Sequence, residues 1–209
     1  MKNQMQEVPL EYYFAKYREL DPSDAARRTG LHFDAEKNRY TLYSLGFTIY
    51  ASWPEFELTP DDPERCPKIL LGFSMQIVTL RFLLEGVSAP ALGQFKAYRE
   101  LPWGELYDAN FQGRCIKRLA FSYGSRLNVF EKAAEKLGGV RLSLGDASFD
   151  MPFLGNVVCR LILWGRDEEF PPSAQFLFSD NTRFAWGAED LAGVGDIMIG
   201  ALEEASASS

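Results

Sequence analysis

Apolar positions near the start of the chain fall at Leu10, Tyr13, Phe14, Tyr17 and Leu20. This is the i, i+3, i+4, i+7 spacing of a helix that packs on one face. Asp21-Pro22-Ser23-Asp24 then supplies a capping side chain, a proline at the first helical position and an acid in the first turn. A second, short helix is predicted there, with Gly30 placed to stop it. From Leu31 to Leu58 the period changes to two. Tyr43, Leu45, Phe47 and Ile49 alternate, and the turn-prone stretch Ala35 to Asn38 divides two strands of an antiparallel meander. Trp53-Pro54 breaks the pattern, because a proline restricts the residue before it and offers no N–H to a ladder.

Thr59 to Pro67, with three prolines among its charges, reads as a loop and as the best internal boundary. Lys68 to Glu85 is almost uniformly apolar and is predicted to be one helix buried on most sides. Its interior Arg81 argues against a membrane span, since a mid-span arginine costs about 2.5–3.5 kcal/mol. Gly86 to Gly104 is read as a connection whose Phe95, Tyr98 and Trp103 cover the core. Helices are predicted over Asp108 to Phe121 and Ser125 to Leu137, parted at Tyr123-Gly124 and closed by Gly138-Gly139. Val140 to Leu144 and Ala147 to Asp150 flank the hairpin signal Gly145-Asp146.

The strongest strand candidates are Val157 to Trp164 and Ala174 to Phe178, continuous apolar runs of strand length. A last amphipathic helix is expected over Gly187 to Glu204, with Leu191, Val194, Met198 and Leu202 on one stripe and Glu189-Asp190 in its first turn. Ala205 to Ser209 is expected to be a disordered tail. These elements make an α+β fold, an antiparallel sheet packed against a buried central helix with amphipathic helices around it. Residues 1–204 read as a single domain with an internal boundary at 59–67.

Composition supports a packed core: 46% of the 209 residues are hydrophobic and 14% aromatic, more apolar surface than a disordered chain carries. The balance of 22 Lys and Arg against 29 Asp and Glu gives a formal charge of -7. A field of that sign disfavours nucleic acid and anionic membranes as partners. Cys66, Cys115 and Cys159 lack the close spacings of metal or redox motifs, so reduced thiols and no metal are expected. The opening MKNQMQEVPL has no apolar core of the kind a secretory signal needs, which places the protein in the cytoplasm.

Candidate chemistry concentrates in LILWGRDEEFPPSAQFLFSD, Leu161 to Asp180. Asp167, Glu168 and Glu169 stand in a row beside Phe170. Asp180, Glu189 and Asp190 could join them if the chain after the second strand folds back. Clustered carboxylates can bind a hard cation or divide acid and base roles between them. The alternative is a solvated acidic turn with Phe170 plugging the core. Trp164 and Trp186, with Trp103 and Trp53, can wall a cleft by stacking or simply fill the core. His32, the only histidine, would have to serve any histidine-dependent arrangement, and Cys66 is exposed by its loop context. Gly193 and Gly195 fail the dinucleotide fingerprint.

DPSDAARRTG (Asp21 to Gly30), ILLGFSMQIV (Ile69 to Val78) and FKAYRELPWG (Phe95 to Gly104), with WGRDEEFPP (Trp164 to Pro172), FLFSD (Phe176 to Asp180) and AED (Ala188 to Asp190), resemble an uncharacterised domain family of mostly anaerobic bacteria and archaea. The likeness runs over nearly the whole chain. It implies a compact cytoplasmic domain and names no activity and no cofactor. Some relatives carry an appended cysteine-rich iron-sulfur segment, and the three dispersed cysteines here do not match one.

The expected function is a non-catalytic binding module, with a small molecule or protein partner beside Trp164 and the 167–169 acids. Its ligand-binding residues are expected among Trp164, Asp167, Glu168, Glu169, Phe170, Asp180, Trp186, Glu189 and Asp190. The alternative is a hydrolase using paired carboxylates or a carboxylate-bound divalent cation, which needs Asp167 or Glu169 close to Asp180 or Glu189. A third reading makes the aromatic surface a homodimer face.

Overall fold

A computed structural model describes the backbone of residues 4–207 and the side chains of residues 10–207. Helix α1 (Gln4–Arg18) and helix α2 (Pro22–Thr29) come first. The Asp21 carboxylate accepts the backbone N–H of Ser23 and Asp24, and Gly30 closes α2 in the left-handed region at φ 70°. The cap and the stop thus fall where the sequence places them. An antiparallel meander follows: β1 (His32–Asp34), β2 (Arg39–Ser44), β3 (Phe47–Ser52) and β4 (Leu58–Pro60), paired in that order.

One hairpin in this sheet differs from the expected alternation. Leu45-Gly46 is the turn between β2 and β3, with both residues at positive φ, so Tyr43 is not in step with Ile49. Tyr43 points to solvent while Tyr40, Leu42 and Ser44 face inward. A leucine rarely accepts φ near 48°, but here its side chain is fully buried and its N–H donates to the carbonyl of Pro152.

The long apolar helix is also divided. Lys68–Leu71 forms a 3-10 turn, Gly72 is extended, and α3 runs only over Phe73–Glu85. The 3-10 turn has its first N–H groups satisfied by Glu204, whose carboxylate accepts from Lys68 and Ile69. Met75, Val78, Leu80, Phe82 and Leu83 of α3 are buried, as a central helix requires.

The second sheet has the order β5-β9-β8-β7-β6, all antiparallel. Its strands are β5 (Phe95–Ala97), β6 (Val140–Leu142), β7 (Ala147–Pro152), β8 (Val158–Trp164) and β9 (Ser173–Ser179). The edge strand β5 lies in the stretch read as a connection; three residues are too few to show a period. The helices between are α4 (Gly104–Phe111), α5 (Arg118–Tyr123) and α6 (Leu127–Lys136), with a π-helical segment at Gln112–Lys117 joining α4 to α5. The helix expected over 108–121 is therefore part of one continuous helical run over 104–123 that contains a π-helical segment. After β9 come the short α7 (Thr182–Ala185) and α8 (Ala188–Ala207).

Helix α8 is the second buried rod. Gly195 lets Cys115 and Phe111 approach its backbone, and Leu191, Val194, Met198 and Leu202 are buried as the stripe predicts. The tail expected at 205–209 is helical as far as Ala207, with Ala205 buried and the Ser206 hydroxyl 3.0 Å from that of Tyr123. Ser208 and Ser209 lie outside the described residues. No helix among the described residues is long and apolar enough to cross a membrane.

Candidate functional site

The β8–β9 hairpin decides where the predicted site residues go. Trp164 pairs with Ser173 and Cys159 with Phe178, so the WGRDEEFPP loop caps one end of the hairpin. Asp180 follows Ser179 at the other end. The seven residues of β9 separate the two by about 20 Å at roughly 3.3 Å per residue. This separation removes the pairing of Asp167 or Glu169 with Asp180 that a two-carboxylate site needs. Among the described residues no group of three or more His, Cys, Asp or Glu gathers as metal ligands would.

At the loop itself, Asp167 Oδ1 accepts the N–H of Glu169 at 2.8 Å and of Phe170 at 2.6 Å. Its carboxylate is thus tied to its own turn. Glu168 and Glu169 are exposed, and Phe170 is 66% exposed, so it does not plug the core. The core contact comes from Pro172, which lies so close to Gly124 that a Cβ there would sit 2.1 Å from the proline ring. Phe121 and Ser125 close a hollow of about 390 Å³ with these residues. Trp164, 36% exposed, flanks Gly145 on the neighbouring turn.

A larger cleft of about 840 Å³ lies at the opposite end of the hairpin. One wall is the segment Arg99 to Leu106, another the loop Ala89 to Gln94, and the third Asp180 to Phe184. A second hollow of about 240 Å³ continues from it past Trp103 and Phe184 to Arg81, Trp186 and Asp190. Next in sequence to Arg99, Tyr98 joins a buried aromatic cluster that borders a separate hollow. Tyr98 stacks on Phe111 at 4.2 Å with rings 3° from parallel, Phe111 meets Phe176 and Phe178, and the Tyr98 hydroxyl donates to the Ala188 carbonyl.

Trp103, read from the sequence as either a cleft wall or core, is 77% exposed on the cleft wall and holds φ at 66°. For a bulky L-residue that conformation is costly, about 1–3 kcal/mol, and it persists only where its neighbours impose it. Pro102 precedes it, and Gly104 follows so close to the preceding 3-10 turn that a Cβ there would stand 1.9 Å from the Tyr98 carbonyl oxygen. Gly104→Ala must therefore push the 98–106 wall outward. We expect a loss of about 1–3 kcal/mol in urea unfolding, against a gain of about 0.5–1 kcal/mol for Gly113→Ala, whose Cβ would meet nothing in its exposed helical segment.

Of the predicted residues, Asp180 lines this cleft, and Trp186 and Asp190 line the second hollow. Asp180 Oδ1 accepts the N–H of Leu92 at 2.9 Å, and Oδ2 is shut from solvent with no hydrogen-bond partner among the described residues. Trp186 is 5% exposed, donates to the Val78 carbonyl and packs between Phe82 and Phe153. It is a core residue that the second hollow touches at its edge. Asp190 is buried and salt-bridged to Arg81 at 2.8 Å, with Glu189 exposed at 3.9 Å from the same guanidinium.

Burial raises the Asp190 carboxyl to about 6 even with Arg81 beside it. A carboxyl whose folded-state value lies above its unfolded one stabilises the fold at low pH and loses that contribution as pH rises through about 6. Asp190→Asn should flatten this slope, reducing the fall in stability between about pH 4 and pH 6 by roughly 2–3 kcal/mol. Chemical denaturation across that range checks it; an unchanged slope would show that Arg81 keeps the carboxylate ionised throughout.

Cys66, expected to be exposed, is buried, as are Cys115 and Cys159, and burial pushes the Cys66 thiol up to about 11. All three are thus poor nucleophiles. His32 is exposed at the start of β1, in the other sheet. The residues that sequence reading missed are Leu92, Arg99, Leu106, Arg183 and Phe184, each of a type usually read as surface or core. The one local signal was Trp103 set between a proline and a glycine in a charged stretch, a poor setting for a core tryptophan.

A family model for a domain of unknown function (DUF3786) matches residues 21–201. No curated protein and no solved structure matches the chain.

Proposed function

The chain belongs to this family, whose description assigns no activity, and we propose that it is a cytoplasmic, non-catalytic binding domain holding a small molecule in the cleft around Trp103. The observation that carries the reading is Trp103 itself: a strained, exposed aromatic on the wall of a cleft of about 840 Å³. Leu92, 80% exposed, and Leu106, 73% exposed, extend the apolar surface beside it. A cleft of this volume suits a drug-sized ligand. The acidic loop at 167–169 is the weaker candidate, because its one ordered carboxylate already serves its own turn.

Trp103→Asn tests this. Asparagine tolerates the left-handed conformation, so the variant should keep its stability within about 1 kcal/mol while losing ligand-induced thermal stabilisation. A screen of metabolites by thermal shift, run on both proteins, reads the result. Ligands that stabilise wild type and variant equally would move the site away from this cleft.

A further inference from the structure

The cleft's charges are unequal in what they have left to offer. Most arginines of the chain are engaged: Arg18, Arg27, Arg65, Arg81, Arg114, Arg118, Arg141 and Arg160 each meet a carboxylate. Arg28 donates to backbone carbonyls of α3 and Gly86, and Arg126 to the Ser122 carbonyl. Lys96, Arg99 and Arg183, which all line the cleft, have no carboxylate partner among the described residues. The nearest specific contact of any of them is Arg183 over the Phe184 ring at 4.7 Å.

The cleft's acids are mostly committed. Asp180 holds the Leu92 N–H and its other oxygen is closed to solvent; Glu100 Oε2 accepts the Ala97 N–H at 2.7 Å. Glu105, at the start of α4, is the one acid that faces the cleft without such a bond among the described residues. Against Glu100, Glu105 and Asp180 these three cations leave the cleft lining formally neutral in a chain of net charge -7, and it is the cations whose donors are unused. Charge-assisted bonds to an anion are what such donors can form, and arginine forks match carboxylate and phosphate oxygens in pairs. Beside them stand the exposed faces of Trp103 and Phe184, which favour a planar ring.

Resting on the cleft reading above, we propose that the ligand is a planar aromatic ring bearing a carboxylate or phosphate, its ring against Trp103 and its anion held by Arg99, Arg183 and Lys96. The two anion sources share one chemistry and are separated by probe choice. Nicotinate, nicotinamide and 1-methylnicotinamide present one ring with negative, zero and positive charge; adenosine 5′-monophosphate and adenosine present a second ring with and without an anionic phosphate.

Each probe is titrated into the full chain, reading binding by calorimetry and occupancy by the Trp103 indole N–H in proton–nitrogen spectra, assigned by its absence in Trp103→Phe. The anionic member of at least one series should bind at least 10-fold more tightly than its neutral partner and shift the Trp103 signal. Arg99→Ala with Arg183→Ala should remove that preference without changing the thermal midpoint of the free protein, since both side chains are exposed. Binding of the neutral or cationic probe at Trp103 as tightly as the anion would overturn the charge assignment and leave the cleft reading standing. No binding by any anionic probe at millimolar concentration would overturn it too, and the metabolite screen then decides the cleft separately.

Discussion

Trp186→Ala should cost about 3–5 kcal/mol of folding free energy, at the top of the range for truncating a buried side chain. The indole is 5% exposed, lies 5.1 Å from Phe82 and 5.8 Å from Phe153 by ring centroids, and gives its N–H to the Val78 carbonyl at 2.9 Å. Truncation empties the space between α3, the turn before β8 and the start of α8, whose backbones are each fixed by other contacts and cannot close over it. Trp186→Phe should cost only about 1–2 kcal/mol, because it keeps most of the ring contact and forfeits the hydrogen bond. Urea denaturation of the two variants against wild type measures both. A loss below about 1 kcal/mol for the alanine would mean that Trp186 is a binding-site residue resting on the surface, as the sequence alone allowed.

Arg28→Ala should cost about 3 kcal/mol, through a different mechanism. The guanidinium leaves α2 and reaches the end of α3, where it donates to the carbonyls of Phe82, Leu83, Leu84 and Gly86. Those of Leu83 and Leu84 are orphan acceptors of a helix C-terminus, and a positive charge there also opposes the helix dipole. Without the arginine they and the Gly86 carbonyl lose this donor, whereas Phe82 still accepts the Gly86 N–H. Arg28→Lys should restore less than half of the loss, since an ammonium is a single point of charge and cannot span two turns of carbonyls as the planar fork does. Thermal unfolding of the two variants reads the difference; equal recovery by lysine would mean that charge alone matters at this position.

Much of the fold was legible where a local signal and the tertiary structure agree. Asp21 and Gly30 bracket α2 because capping is local chemistry, and the stripe of α8 is buried as its 3.6 period implies, although Ile197, Ile199 and Ala201 are buried outside that stripe. Reading failed where a distant residue decides. Lys68–Leu71 departs from α3 because Glu204, far along the chain, offers its N–H groups a carboxylate. Leu45 turns a hairpin that no Asn-Gly announces, because burial of its side chain outweighs the cost of its φ. The candidate site failed in the same way: Asp167 and Asp180 are near in sequence, but an antiparallel strand lies between them. The cleft itself is assembled from segments 89–94, 99–106 and 180–184, and no single stretch carries its signature.

The contacts made by the two ends of the chain set how much of it must be kept together. Tyr17 of α1, ahead of the family segment 21–201, is fully buried, donates to the Ser52 carbonyl and accepts the Trp53 indole N–H on its own carbonyl. Past its other limit, Glu204 clasps the 3-10 turn and Ser206 meets Tyr123. A fragment cut to residues 21–201 would therefore carry an aromatic vacancy under the first sheet and an opened seam along α8. The cooperative unit is longer at both ends than the stretch that defines the family, and recombinant boundaries belong outside Tyr17 and Ser206.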